Sequence, residues 1–132
     1  MQSASPPRPG PGKACLAFPR AVSAGELDAA ASCFARDGCL ITPDATAIHG
    51  RESIRRVLAQ MIVRQTEIEV ELSTAVSAGE VVLIHQRWKI LSGEPAGGRF
   101  EQSADATLIL RQLEATWKLS IAAPWGYRQA YG

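Results

Sequence analysis

Between positions 54 and 73 the chain reads I-R-R-V-L-A-Q-M-I-V-R-Q-T-E-I-E-V-E-L-S, and the spacing of its apolar residues changes partway through. Ile54, Val57, Leu58, Met61 and Ile62 fall at i, i+3, i+4, i+7 and i+8, which is one face of an α-helix. Arg51, Glu52, Arg55, Arg56 and Gln60 occupy its wet side. After Gln65 the pattern becomes strictly alternating. Ile68, Val70 and Leu72 interleave with Glu67, Glu69, Glu71 and Ser73, the two-residue period of a strand with one buried face. The change predicts helices before this point and strands after it.

Toward the C-terminus, strands are predicted over Val81–Leu91, Phe100–Arg111 and Thr116–Ala122, with Gly79 in a hairpin turn and Glu94–Gly98 as a second turn. Toward the N-terminus, Ser23-Ala24-Gly25-Glu26 has the S-x-x-E form of a capping box ahead of Leu27, Ala30, Ala31, Phe34 and Ala35. Those five residues share a helix face, and Gly38 is the expected stop. The same tetrapeptide at 77–80 lies between two strands, so it is not a repeat. A further helix is read from Cys15, Phe18 and Val22, kinked by Pro19 or restarted near Phe18. Cys39–Thr42 reads as a short strand ended by Pro43-Asp44, and Ile48-His49-Gly50 as a strand remnant entering the third helix. This order predicts an α+β domain, a curved antiparallel sheet wrapped over three N-terminal helices.

The chain has 132 residues, 46% hydrophobic and 20% charged, enough for one core and not for two. Residues 1–12 hold four of the eight prolines and no large apolar side chain beyond Met1, so they read as a disordered tail. The domain is placed at 13–127 and a C-terminal tail at 128–132. A formal net charge of +1 gives no field to steer nucleic acid or an anionic membrane. With no bilayer-spanning apolar run and no secretory-signal layout, a cytoplasmic protein is expected. Three cysteines, Cys15, Cys33 and Cys39, without C-x-x-C, read as reduced thiols rather than a disulfide framework or a zinc site.

The succession A-V-S-A-G-E-L-D-A-A-A-S-C-F-A-R-D-G-C-L-I-T-P-D at 21–44, then I-H-G-R-E-S-I-R at 48–55, resembles the nuclear-transport-factor-2-like superfamily, in its ketosteroid-isomerase-like and SnoaL-like (polyketide-cyclase-like) branch. The segments H-Q-R-W-K-I-L-S-G at 85–93 and W-K-L-S-I-A-A-P-W-G at 117–126 are similar to that family's strands and its terminal Pro-Trp-Gly. The resemblance implies a cone-shaped barrel closed by helices around an apolar pocket, and homodimers formed through the sheet. It implies a small-molecule-binding domain, with cofactor-free isomerase, cyclase, dehydratase, hydratase or epoxide hydrolase chemistry on a small polyketide-, terpenoid- or steroid-like substrate as its catalytic form. The alternative is a non-catalytic ligand-binding or dimerisation module; a third reading is an interaction protein like the transport factor itself. Fold alone does not choose among them.

Ketosteroid isomerases pair an aspartate base with a tyrosine and a protonated aspartate that hold an oxyanion. By the resemblance, the base position here is Thr42, before Pro43; the tyrosine position is about Phe18; the second acid falls near Asp105. Asp44 is the remaining candidate for the base. If the Ser103, Asp105 and Thr107 side of its strand faces the pocket, desolvation prepares Asp105 for proton transfer. If the side carrying Phe100, Gln102, Ala104 and Ala106 does, Asp105 lies on the convex surface. The neighbouring strand poses the same choice between His85, Arg87 and Lys89 and a face with Gln86 and Trp88, the latter fitting a small-molecule wall or plain core. His85 beside a carboxylate would be an acid/base group. The expected lining is Phe18, Phe34, Thr42, Gln86, Trp88, Ser103, Thr107 and Trp125.

His49, at the entry to the third helix, is read as structural. Two distant histidines without H-x-H or H-E-x-x-H spacing imply no metal, and with neither G-x-G-x-x-G nor a P-loop no cofactor is expected. An epoxide-hydrolase arrangement would need Arg99 bracketed by Glu101 and Asp105 on one strand face. Ala122-Ala123 stand before Pro124-Trp125-Gly126 where some relatives carry an acid.

Overall fold

The computed structural model describes residues 11–94 and 97–125. The tails expected at 1–12 and 128–132 lie outside those residues, except that Pro11 and Gly12 open the first helix. In chain order the elements are α1 (Pro11–Ser23), α2 (Leu27–Ser32), β1 (Phe34–Ile41), β2 (Ala47–His49), α3 (Arg51–Val63), β3 (Glu67–Ala78), β4 (Val81–Gly93), β5 (Arg99–Leu113) and β6 (Thr116–Ala123). The described strands form one sheet in the order β2-β1-β6-β5-β4-β3. β3 to β6 are the expected antiparallel meander, whereas β1 joins β6 in parallel. Register shifts at Val70/Leu72 and at Ile109/Leu110 set two residues of one strand against one of its partner, bulges that bend and twist the sheet, and the β1–β6 pairing is irregular between Phe34 and Cys39.

The helices fill the concave face of the sheet. α3 buries Ile54, Leu58 and Met61, as its periodicity requires. α1 runs unbroken through Pro19, which lacks the N–H that would bond the carbonyl of Cys15 four residues earlier. Gln86, reaching across from β4, supplies the missing donor: its Nε2 donates to the Cys15 oxygen at 3.1 Å. A proline inside a helix is thus accommodated by one buried amide.

Two local expectations need correction. Ser23 does not cap α2; its Oγ accepts the Ile68 N–H of β3 at 2.7 Å, and Gly25, at φ +73°, turns the chain out of α1. The tetrapeptide therefore marks where α1 ends. α2 also stops at Ser32 instead of near Gly38, because Phe34 and Ala35 enter the sheet. The Leu119 N–H donates to the Cys33 oxygen at 2.7 Å, and the Arg51 guanidinium donates to the Phe34 oxygen at 2.5 and 3.1 Å. Sheet pairing outweighs local helix propensity here. Gly38 is needed for close approach rather than as a helix stop, since a Cβ there would lie 3.0 Å from the Ala35 oxygen and 3.1 Å from that of Leu119.

Candidate active site and ligand cavity

Which sheet face looks inward settles the strand choices left open above. In β4 Val82, Ile84, Gln86, Trp88 and Ile90 are buried and Val81, Leu83, His85 and Arg87 are exposed. The register pairs Trp88 with Ala104 and Arg87 with Asp105, so the inward face of β5 carries Gln102, Ala104, Ala106, Leu108 and Leu110. Asp105, Ser103 and Thr107 belong to the convex face.

The concave space divides into a filled end and a hollow end. At the filled end Phe18 meets Phe34 edge-on at 5.3 Å between ring centroids and lies 6.2 Å from Trp88. All three rings are fully buried. Trp88 Nε1 donates to Gln86 Oε1 at 2.7 Å, and Gln86 Nε2 also meets Ser73 Oγ at 3.3 Å. Gln86 and Trp88 thus satisfy each other and the Pro19 gap, with little capacity left for a ligand. The half-buried Trp117 and Trp125 pack against this core from its edge.

The hollow end holds a cavity of about 650 Å³. One face of α3, through Val57, Gln60 and Met61, makes one wall together with Arg64 just past the helix end. Ile90, Ser92 and Gly93 of β4 and Phe100 and Gln102 of β5 make the other, since Ile90 lies opposite Gln102 and Ser92 opposite Phe100. Pro43, Thr66, Glu94 and Trp125 complete the lining. The end of α3 is tied to that sheet wall by the Gly93 N–H, which donates to the Arg64 oxygen at 2.7 Å. Thr66 and Ser92 hydroxyls lie 3.3 Å apart and satisfy one another.

Of the lining residues expected from sequence, Trp125 borders this cavity; Phe18, Phe34, Gln86 and Trp88 lie in the packed end. Thr42 and Asp44 flank Pro43 without joining the lining. Asp44 is exposed, and hydrogen bonds from Thr42 Oγ1 and Thr46 hold its carboxyl below the ordinary carboxylate range. That shift weakens it as a base. Asp105 and His85 do come together, at 3.8 Å, with Arg87 at 3.3 Å from the same carboxylate. The trio sits on the convex face, across the sheet from the cavity. Arg99 pairs with Glu67 at 3.0 Å and donates to the Gln65 oxygen, so it does not organise Glu101 and Asp105.

Among the described residues, the ionisable side chains lining the cavity are Arg64 and Glu94, both exposed. No three His, Cys, Asp or Glu side chains among those residues converge as a metal would require. Burial pushes the Cys33 thiol up against the opposing pull of Lys118, and burial raises Cys39 as well, which keeps both protonated near neutrality. The missed lining had a readable signal. Val57, Gln60, Met61 and Arg64 are spaced i, i+3, i+4 and i+7, and Ile90 and Ser92 continue the inward phase of Gln86 and Trp88 toward the strand end.

The profile of the SnoaL-like domain matches residues 16–112. The chain belongs to the SnoaL-like family. This SnoaL-like chain is similar in structure to a candidate dehydratase of the NTF2-like family from Streptomyces avermitilis, at 22% identity over 86% of this chain and 92% of that one, TM-score 0.75. It is similar to a candidate aromatic ring hydroxylase from Novosphingobium aromaticivorans, at 14% identity over 85% and 82% of the two chains, TM-score 0.77. A ketosteroid isomerase-like protein from Erwinia carotovora atroseptica matches at 14% identity over 85% and 89%, TM-score 0.72. At such identities the likeness is one of fold. No curated protein sequence matches the chain. Among the described residues no helix is long and apolar enough to cross a membrane.

Proposed function

We propose that this SnoaL-like domain binds a small organic molecule in the hollow end of its cone, as a binding domain rather than by the acid/base chemistry of a ketosteroid isomerase. The observation that carries this is the cavity: about 650 Å³, with more apolar than polar wall surface and six polar or charged side chains among its thirteen lining residues. Such a volume and composition are those of small-molecule sites, which span roughly 300–1,000 Å³. The acid/base candidates Asp105, His85 and Asp44 do not line it, and its amides and hydroxyls orient ligands without exchanging protons at neutral pH. Dehydratase, hydroxylase and isomerase-like neighbours share the fold alone, and among the described residues that line the cavity the one carboxylate is Glu94.

Isothermal titration with 2-naphthol and with estradiol tests the reading. Saturable one-to-one binding of either, lost on filling the space with Gln102→Trp in a variant that still melts cooperatively, is the expected result. Failure of both probes to bind the wild-type chain refutes it.

We also propose that the chain pairs with a second copy through its convex face. The register lines up Val76, Leu83, Ile109, Ile121 and Cys39 as one apolar row across β3, β4, β5, β6 and β1. In the single chain Val76 is 66% exposed, Leu83 45% and Ile121 37%, so the row presents apolar side chains that a second copy would cover.

A further inference from the structure

The polar side chains of the concave face are nearly all engaged with one another. Gln86 Nε2 donates to the Cys15 oxygen and meets Ser73 Oγ, and its Oε1 accepts from Trp88. Thr66 and Ser92 share a contact between hydroxyls. Gln102 is the exception. It is half-buried on the inward face of β5, lines the cavity opposite Ile90, and makes no side-chain hydrogen bond among the described residues. The other lining amide, Gln60, sits exposed on α3, where water serves it.

An amide in an apolar wall is costly to cover. Any ligand that displaces its water must return a hydrogen bond or lose affinity, which makes such a group a filter for partners that can. A carboxamide offers two N–H donors and one carbonyl acceptor, so a hydroxyl can pair with it in either sense and a ketone through the N–H groups. The surrounding wall argues equally against charge. Met61 and Ile90 are buried and Val57 and Trp125 half-buried beside it, and they offer no counter-ion. Arg64 and Glu94 are of opposite sign and exposed, so they give the lining no net charge and are screened by water. Desolvating an ion there would be far more expensive than desolvating an alcohol.

Building on the binding reading above, we infer that Gln102 is the specificity-determining residue of the cavity, and that the ligand is an uncharged, largely apolar molecule presenting one hydroxyl or carbonyl oxygen to this amide. Phe100, whose ring is about half exposed at the wall next to Gln102, then gives the apolar body a surface to lie against.

Three probes of nearly one shape separate these elements: naphthalene, 2-naphthol and 2-naphthoate, titrated calorimetrically at pH 7 into the full chain and into Gln102→Leu and Gln102→Met. For the wild type, 2-naphthol should bind about 5- to 10-fold tighter than naphthalene, the worth of one ordinary hydrogen bond, and naphthoate weakest. In both variants the naphthol advantage should vanish while naphthalene binds as well or better. An equal naphthol-to-naphthalene ratio in wild type and variants overturns the role of Gln102, and tightest binding by naphthoate overturns the uncharged ligand. If none of the three binds the wild type, the binding reading itself fails, and this inference with it. The wild-type ratio needs no variant to fold.

Discussion

Removing the Gln86 amide should expose how α1 tolerates its internal proline. In Gln86→Leu the Cys15 carbonyl and the Trp88 indole N–H both lose their buried partner, while Ser73 is exposed and turns to water. Each orphaned group costs roughly 1–3 kcal/mol, and the better burial of leucine offsets part of that, which leaves a net loss of about 3 kcal/mol. In a domain of this size that is a fall in Tm of roughly 10 °C. The second half of the experiment is Pro19→Ala, which gives position 19 an N–H aimed at the same Cys15 oxygen. In that background Gln86→Leu orphans only the indole, so its cost should drop by about 1–2 kcal/mol. Urea unfolding followed by tryptophan fluorescence and by circular dichroism, with coincident transitions, yields all four free energies. Additivity of the two substitutions within about 0.5 kcal/mol would refute the reasoning, because it would mean that amide and proline do not share the carbonyl.

Three other outcomes are expected. Leu83→Lys, which plants a charge in the middle of the convex apolar row, should shift a dimer to a monomer in light scattering while leaving the melt of the monomer nearly unchanged. Gly38→Ala should destabilise by about 1–3 kcal/mol in urea titrations, since its methyl would press on two backbone oxygens that cannot swing aside. Asp44 has a folded-state pKa depressed below its ordinary 3.8, so it binds protons more weakly folded than unfolded. Its contribution is therefore complete above about pH 4–5 and is lost as pH falls through the depressed value; Asp44→Asn should differ from wild type at pH 6 and converge with it in strong acid.

Periodicity made the layers legible because it is a local property. The 3.6-residue pattern of Ile54–Ile62 reappears in α3, and the alternation from Glu67 holds as far as Val70; the bulge that follows turns Leu72, expected on the buried face, out to 57% exposure. Where a distant partner overrules local preference, the sequence misled. Phe34 and Ala35 satisfy a helical pattern, yet pairing with β6 draws them into a strand. Ser23 and Glu26 spell a cap, yet Ser23 serves the main chain of β3. The candidate site was harder for a different reason. Alternation fixes which residues of β4 and β5 share a face, but the sign of that face depends on where the helices lie, and how far side chains fill the cone depends on their packed volume. Phe18, Phe34 and Trp88 look like lining on paper and meet as a plug in three dimensions. The resemblance, in turn, led to Asp105 by position along the strand, one residue out of phase with the inward face.

The separation of a plugged end from a hollow one also bears on how such a domain changes its ligand. Substitutions at Phe100 or Gln102 touch partly open space, so they leave the fully buried Phe18–Phe34–Trp88 plug undisturbed. Cavity shape and polarity can then drift over successive mutations without passing through unfolded intermediates, and new recognition can evolve on an unchanged scaffold.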